Sequence, residues 1–558
     1  MKPFRISLLR TTKRKPLLLL YFLFFGFSSA HSQQLIMEYT KMVGGTGGDL
    51  VEDAIFDKRD NSVVIVGRTR DSCHTGDLPP CPTVTGDWDL IVGKIASDKS
   101  ISWLKEYGGS GAEWGIGVVP TFDGGYIVAG QAASNDGDVT GNHFSGGGFD
   151  FWVLKLDKQG QLQWKKCYGS FYDEQGPQIQ QTKDHGYIIV GTSNGSGEDV
   201  PGQYVNSPFT HDWFVIKIDS VGNKQWAQTI GGTDDERNCK AFEVGNDFYL
   251  IGSTFSHDYN CSDTSWKSSK SNDMDIFLIK LDSSGKYLWN KAYGSTGAEN
   301  LDDAIYDSSD SSFVFVAGCG VGDFFVPEAA PGQGGGDIWL SKLTTSGDIK
   351  WSTRLGDNST EDDARITQCN DTSGFLISCR SSVREPVPDY YYCYHNGGSN
   401  DRIFRVDNGG NLLTSKIIGG YQSERKCIPL DADTMTVVAG MTISPIFADG
   451  YTSPYHGSGD IYLSYLYYFP TGIKNVTIAK DTFKIYPNPA TNNVLVAFES
   501  MQSGQIKIMN ELGNVVISKS IREEKQVLIN TSSWARGNYI VYWQSTTGER
   551  VSKKLFVK

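Results

Sequence analysis

The chain has 558 residues, including 63 Gly; 12% of it is aromatic, only 21% is charged, and the formal net charge is −13. That composition excludes a disordered chain, a coiled coil and a helical solenoid, and the length is too great for one ordinary domain. The negative charge gathers in residues 33–482, which would repel a phosphate backbone, so no nucleic-acid partner is expected.

Residues 1–32 read as a signal peptide. Lys2, Arg5, Arg10, Lys13, Arg14 and Lys15 make a basic start, followed by an apolar run at 17–27. That run is shorter than the roughly 20 residues a spanning helix needs, and Ala30-His31-Ser32 offers small residues for cleavage before Gln33. No later segment is apolar enough to span, so the mature chain is expected to be exported without a transmembrane segment. Ten cysteines in an exported chain are expected to be bridged rather than free. Cys73 and Cys81, in one loop with two prolines between them, form the candidate disulfide.

From residue 35 onward the chain repeats. Trp103, Trp164, Trp226, Trp289 and Trp351 recur every 61 to 63 residues. Glu52, Glu113, Glu174, Glu236, Glu299, Glu361 and Glu424 keep the same period, and Asp89, Asp150, Asp212, Asp275, Asp337, Asp401 and Asp460 follow the same rhythm with spacings of 59 to 64. Each unit holds four strand-like runs, with turn signals such as Asp123-Gly124-Gly125 and Lys158-Gln159-Gly160 between them. The third run is almost wholly apolar (WVLKL, WFVIKI, IFLIKL), which marks a strand covered on both faces. Repeated four-stranded units with sandwiched strands predict a β-propeller, and the seven Glu and seven Asp marks set seven blades over 35–468. The outer-strand pattern is offset, beginning at 36–43 and missing after the seventh third strand. The N-terminal strand is therefore expected to complete the last blade and close the ring, leaving no open edge.

Leu156-Asp157, Gly160 and Trp164 belong to a turn that resembles the tryptophan-docking repeat of pyrroloquinoline-quinone propeller dehydrogenases. Those enzymes have eight blades and adjacent cysteines beneath the quinone. This chain has seven predicted blades and no Cys-Cys, so no cofactor is expected.

An active site occurs once per ring, whereas a structural device occurs once per blade. The recurrent Glu and Asp are therefore read as structural, and as the expected partners of Lys94, Lys155, Lys217, Lys280 and Lys342 in the apolar third strands, a series that Val406 and Tyr465 break. Unrepeated chemistry is sought in the long links from second to third strand, about 68–88, 131–149, 193–211, 254–274, 320–336, 380–400 and 442–459. These share one face, differ in every blade and are rich in aromatics, the layout of a binding surface. The ligand-binding candidates are His143, Phe144, Tyr259, Trp266, Tyr390, Tyr391, Tyr392 and Tyr394, because large unrepeated rings suit sugars or peptides. Asn135-Asp136-Gly137-Asp138 echoes half a calcium loop but lacks the later Glu, so calcium is only a weak candidate, an ordinary turn is the better reading, and no metal ligand is assigned. No catalytic residue stands out.

Residues 469–482 read as a linker, and 483–558 as six or seven short alternating strands, a small Ig-like β-sandwich. Tyr486-Pro487-Asn488-Pro489, Glu511-Leu512-Gly513, Gly537-Asn538-Tyr539 and Lys553-Lys554-Leu555 resemble, in order, the type A C-terminal sorting domain of type IX secretion cargo. Asn510, Asn530 and Trp534 depart from that family's usual residues. The resemblance implies a Gram-negative bacterium, passage through the periplasm, translocation by the type IX machinery, and a secreted or outer-membrane surface location. The expected function is a non-enzymatic binding protein with a glycan or protein ligand. The alternative is a secreted polysaccharide hydrolase or lyase using unrepeated acids.

Overall fold

In blade 2, Glu113–Pro120, Tyr126–Ala132, Asp150–Leu156 and Leu162–Tyr168 pair antiparallel in chain order. The second and third strands are buried along their whole length, while the outer strand is only partly buried. That burial explains the unbroken apolar sequence, because both sheet faces are covered by neighbouring blades. Val64, Val66, Leu90 and Val92 of blade 1 thus share a core with Val118, Val128, Trp152 and Leu154 of blade 2.

The computed structural model describes residues 32–70, 76–78, 87–143, 148–202, 210–262, 273–295, 297–320, 336–357, 359–382, 400–418, 424–432, 435–442, 459–471, 483–510, 515–545 and 550–558. Among them are seven four-stranded sheets and one five-stranded sheet. The ring is a seven-bladed propeller. Its last blade takes three strands from 424–471 and its outer strand from Ser32–Val43, which pairs with Asp460–Thr471 from Val43↔Ile461 to Ser32↔Thr471.

Each blade grips the next through its outer strand. Trp103, Trp164, Trp226 and Trp351 lie against Gly160, Gly222, Gly285 and Gly410, in the last turn of the following blade. Those glycines have φ between +73° and +82°, and a Cβ on Gly160 would sit 2.7 Å from Trp103 Cε3. The position therefore needs glycine for its backbone and for its clearance. Into the same kind of turn, the Tyr107, Tyr168 and Tyr293 hydroxyls donate to the carbonyls of Gly160, Gly222 and Gly347 at 3.0, 2.5 and 2.6 Å.

The buried lysines find partners other than the expected ones. Lys155, Lys217 and Lys280 pair at 2.8 Å with Asp123, Asp184 and Asp247, and Lys342 with Asp307 at 2.7 Å. These acids lie in the first hairpin of the same blade, at the end of the strand opposite the recurrent Glu and Asp. The series also continues into blade 6, where Arg405 stands opposite Thr414 as Lys342 stands opposite Trp351. Val406 is simply the next residue.

The seven described cysteines, Cys167, Cys239, Cys261, Cys319, Cys369, Cys379 and Cys427, are free thiols, contrary to expectation. Six of the seven are buried, and Cys239, Cys319, Cys379 and Cys427 lie on strands, where Cys packs as a small hydrophobe. Cys73 and Cys81 lie outside the described residues.

The C-terminal sheet is built from Phe483–Tyr486, Asn493–Asn510, Val515–Asn530, Gly537–Ser545 and Arg550–Val557. Two of these are long strands with several register irregularities, each doing the work of two of the short strands read from the sequence. They wrap a core that includes Phe483, Val496, Ile506, Val541, Trp543 and Leu555. Asn488 Oδ1 accepts from the Phe556 amide at 2.8 Å, and Ala490 bridges Val557, so the Pro-Asn-Pro opening is stitched to the last strand. Tyr539 donates to the Ala535 carbonyl at 2.7 Å, Gly537 has φ +157°, and Lys553 lies over the Phe483 ring. Tyr486 is partly exposed, and Gly513 and the Lys554 side chain lie outside the described residues.

Replacing Gly160 by Ala places a Cβ against Trp103 and forces a left-handed backbone on a non-glycine residue. We expect a loss of about 1–3 kcal/mol, read by denaturant unfolding. Gly141 has φ +84° but an open Cβ position, so Gly141→Ala tests the backbone term alone and should cost less.

Candidate functional site

Every long loop leaves from the same end of its blade, at terminal pairs such as Thr69↔Asp89, Ala132↔Asp150 and Ser193↔Asp212. Directly beneath runs a ring of buried carboxyls. At each described interface the Asp opening a third strand faces the acid opening the next blade's first strand, with a glycine between them. A Cβ on Gly169 would lie 2.6 Å from Asp150 and 2.4 Å from Glu174, and on Gly231 2.2 Å from Asp212 and 2.3 Å from Glu236. Gly44, Gly108, Gly294 and Gly356 occupy the same place.

The second acid also accepts from the residue after that glycine: Gly109 to Glu113, Ser170 to Glu174 and Ser295 to Glu299, each at 2.8 Å. In blade 1 this acid is Asp49, which accepts from Gly45 at 2.8 Å. It is not Glu52, three residues later, to which the sequence period assigns the role. Burial raises Asp150 to about 6, Glu174 to about 7 and Asp89 to about 8, the last helped by the charges of Glu106 and Glu113. Asp337 and Glu361 are additionally met by Arg354 at 2.7 Å and Arg402 at 3.1 Å. These acids hold blades together, as their repetition suggested.

Of the candidate ligand-binding residues, His143 turns back onto this ring: its Nδ1 lies 2.6 Å from Asp150 Oδ2, and its amide donates to the same oxygen. Tyr259 begins a short 3-10 turn, Tyr259–Cys261, and is 57% exposed on the loop face. Phe144, Trp266, Tyr390, Tyr391, Tyr392 and Tyr394 lie outside the described residues. In the calcium-like stretch, Asp136 accepts from the Ser110 amide at 2.7 Å and its carbonyl accepts from Val139, an ordinary turn. Attention to the long loops alone misses Phe171 and Tyr172, which are exposed in the link into blade 3, because those links share the loop face.

The channel holds the unrepeated chemistry that the sequence reading did not find. A cavity of 690 Å³ is bounded by the innermost strands of all seven blades. Each of these strands breaks register once, and the bulges bring Glu52, Ile116, Gly176, Asn238, Asp302, Asp363 and Lys426 to the lining. Lys426 is ion-paired with Glu52, which also meets Arg68 at 3.3 Å. Lys240 pairs with Asp303 at 3.0 Å. Asp53 and Asp303 accept from the next blade's amides, Val118 at 3.0 Å and Ile366 at 3.2 Å. Asp302 Oδ2 is buried with no hydrogen-bond partner among the described residues, and burial raises its carboxyl to about 7 against the pull of Arg365. Aligning units on the bulge rather than on the first acid would have exposed this ring in the sequence.

Residues 484–558 match the family described as the secretion system C-terminal sorting domain. That domain directs its carrier to the cell surface or to secretion, and no described helix is long and apolar enough to cross a membrane. No curated protein matches the chain. Among solved structures, hydrazine synthase of Kuenenia stuttgartiensis is 13% identical with a TM-score of 0.33, over 57% of this chain and 73% of its own. An α-L-arabinofuranosidase from Lactobacillus brevis is 10% identical with a TM-score of 0.30, over 53% and 92%. A putative exo-β-1,3-galactanase from Bifidobacterium bifidum s17 is 12% identical with a TM-score of 0.30, over 55% and 92%. These likenesses are too slight to carry an activity across.

The carboxyl ring has a stability signature. Groups raised on folding stabilise fully below their ordinary range near pH 4 and lose that contribution as pH climbs through 6 to 8. Asp123 and Asp310, held at about 2 by hydrogen bonds and lysines, lose theirs as pH falls below 4. We expect the melting temperature to peak near pH 5 and to decline toward pH 8.5. Asp89→Asn should flatten that decline, whereas calorimetric scans with a flat or rising profile would contradict the assignment.

Proposed function

We propose that the chain is an exported binding protein that meets a glycan or protein ligand on its long-loop face. Residues 1–32 act as signal peptide, 35–468 as the ligand-binding ring, 469–482 as linker, and 483–558 as the segment handed to the type IX secretion machinery. The observation that carries this reading is how the charges divide. Those recurring once per blade are taken up between or within blades, and the aromatic-rich loops that vary from blade to blade leave from a single end. Trp266 and the Tyr390–Tyr394 cluster are the stacking anchors, and Tyr259 is a further candidate.

One observation favours a second reading. Asp302 combines a carboxyl held protonated near neutrality with a channel position, the condition of a general acid in polysaccharide cleavage. Wild type and Asp302→Asn assayed on a polysaccharide panel separate the two: cleavage lost in the variant supports the enzyme, and no cleavage by wild type supports the binder.

On a glycan array followed by calorimetry, Trp266→Ala and Tyr391→Ala should each weaken binding by about 1–3 kcal/mol with little change in melting temperature. Deleting 483–558 should leave the ring folded and retain it in the periplasm. A truncated chain reaching the cell surface or medium would contradict the sorting role.

A further inference from the structure

At the loop end of the ring, beside the channel, a pocket of 410 Å³ is lined by Arg68 and Arg70 from the end of one strand, Trp88 from the start of the next, Trp114 of blade 2 and Met441 of blade 7. The Arg68 guanidinium lies 4.1 Å from the Trp114 ring centroid and 5.2 Å from that of Trp88, and Arg70 lies 6.0 Å from Trp88. Arg70 is exposed and forms no ion pair among the described residues. Arg68 Nε and Trp114 Nε1 are buried donors without a hydrogen-bond partner among the described residues. Trp103, Trp152 and Trp543 Nε1 and Arg402 Nε are in the same state, so what sets this pocket apart is the exposed Arg70, without an ion pair among the described residues, beside two indoles.

Blade 6 provides the internal contrast. Arg380 holds the place of Arg68 but faces Asp362, which takes it at 2.7 Å through two oxygens, whereas Arg68 faces Leu50. Trp114 faces Gln131 in its own blade, so the arginine and both tryptophans come together only where blades 1 and 2 meet. Glu52 is shared by Arg68 and Lys426, so Arg68 and Arg70 leave the pocket net positive, which suits an anionic ligand.

We propose that this pocket is a subsite for one uronate ring of an acidic glycan, with Trp88 and Trp114 against the sugar faces and Arg68 and Arg70 on its carboxylate. The proposal rests on the binding-protein reading and narrows its ligand. The volume lies within the range of small-molecule sites, and half-buried indoles paired with guanidinium groups match a ligand that is apolar on its ring faces and anionic at one edge.

The test is calorimetric titration of the full mature chain with trigalacturonate, cellotriose and a tripeptide bearing a free C-terminal carboxylate. Trigalacturonate should bind, more weakly at high salt, and Arg70→Gln and Trp88→Ala should each weaken it by about tenfold or more. Arg70 is exposed, so its replacement leaves the fold intact even if the Trp88 variant does not fold. Trigalacturonate failing to bind, binding both folded variants as it binds wild type, or being matched by the tripeptide overturns the uronate site. Glycan binding that depends on Trp266 or Tyr391 and ignores Arg70 overturns the pocket while the binding-protein reading stands. A wild-type chain that retains no saccharide or protein ligand defeats that reading itself.

Discussion

A blade whose second and third strands are apolar on both faces has no stable life alone, because each face must be covered by another blade. The rest of the architecture follows from that constraint. Seven blades cover one another only if the ring closes, and closure is made by a strand that arrives first in the chain and pairs last. Thr40 Oγ1 and Ser464 Oγ, 424 residues apart, meet at 3.0 Å in that blade. In blades 1, 2, 3 and 5 the outer-strand tryptophan lies on a glycine in the last turn of the following blade, which ties stacking order to spacing there.

The carboxyl ring is the less obvious consequence. Strands that converge on a channel bring their ends close together, and here the ends carry acids. Two carboxyls facing across one interface would repel if both were ionised. The fold offsets this with backbone donors, with protons retained by burial, and at some blades with His143, Arg354 or Arg402. The glycine closing each outer strand leaves room for both oxygens, and a side chain there would displace one of them. These pairs fix how the first strand of one blade meets the third strand of the previous one, which sets the angle at which every loop emerges.

Against so regular a background, exceptions stand out as chemistry. One bulge per innermost strand brings a different set of residues to the channel, and one blade junction combines an arginine with two tryptophans. Arg68 and Arg380 hold equivalent places, but Arg68 faces Leu50 and shares Glu52 with Lys426, whereas Arg380 faces Asp362. Asp362 takes Arg380 through two oxygens, while Arg68 Nε has no acceptor among the described residues.

The sequence by itself determined the period, the four strands per unit, the count of seven, the closing strand and the C-terminal sorting domain. All of these are written in local patterns: apolar runs, turn glycines, recurring tryptophans and a short set of motifs. It also identified the repeated acids as structural, since repetition needs no coordinates to be seen. Tertiary structure alone decided the partners. Glu52 keeps the period yet faces the channel, because a bulge rather than the spacing sets where a side chain points, and Asp49 takes the interface role. Lys155 shares a strand with Asp150 but reaches Asp123, because strand pairing places the first hairpin, and not the loop end, beside it. Arg68 and Trp114 sit in different units, and their meeting depends on how two blades pack. A linear pattern records which groups recur, whereas convergence on a channel or a pocket is a property of the closed ring.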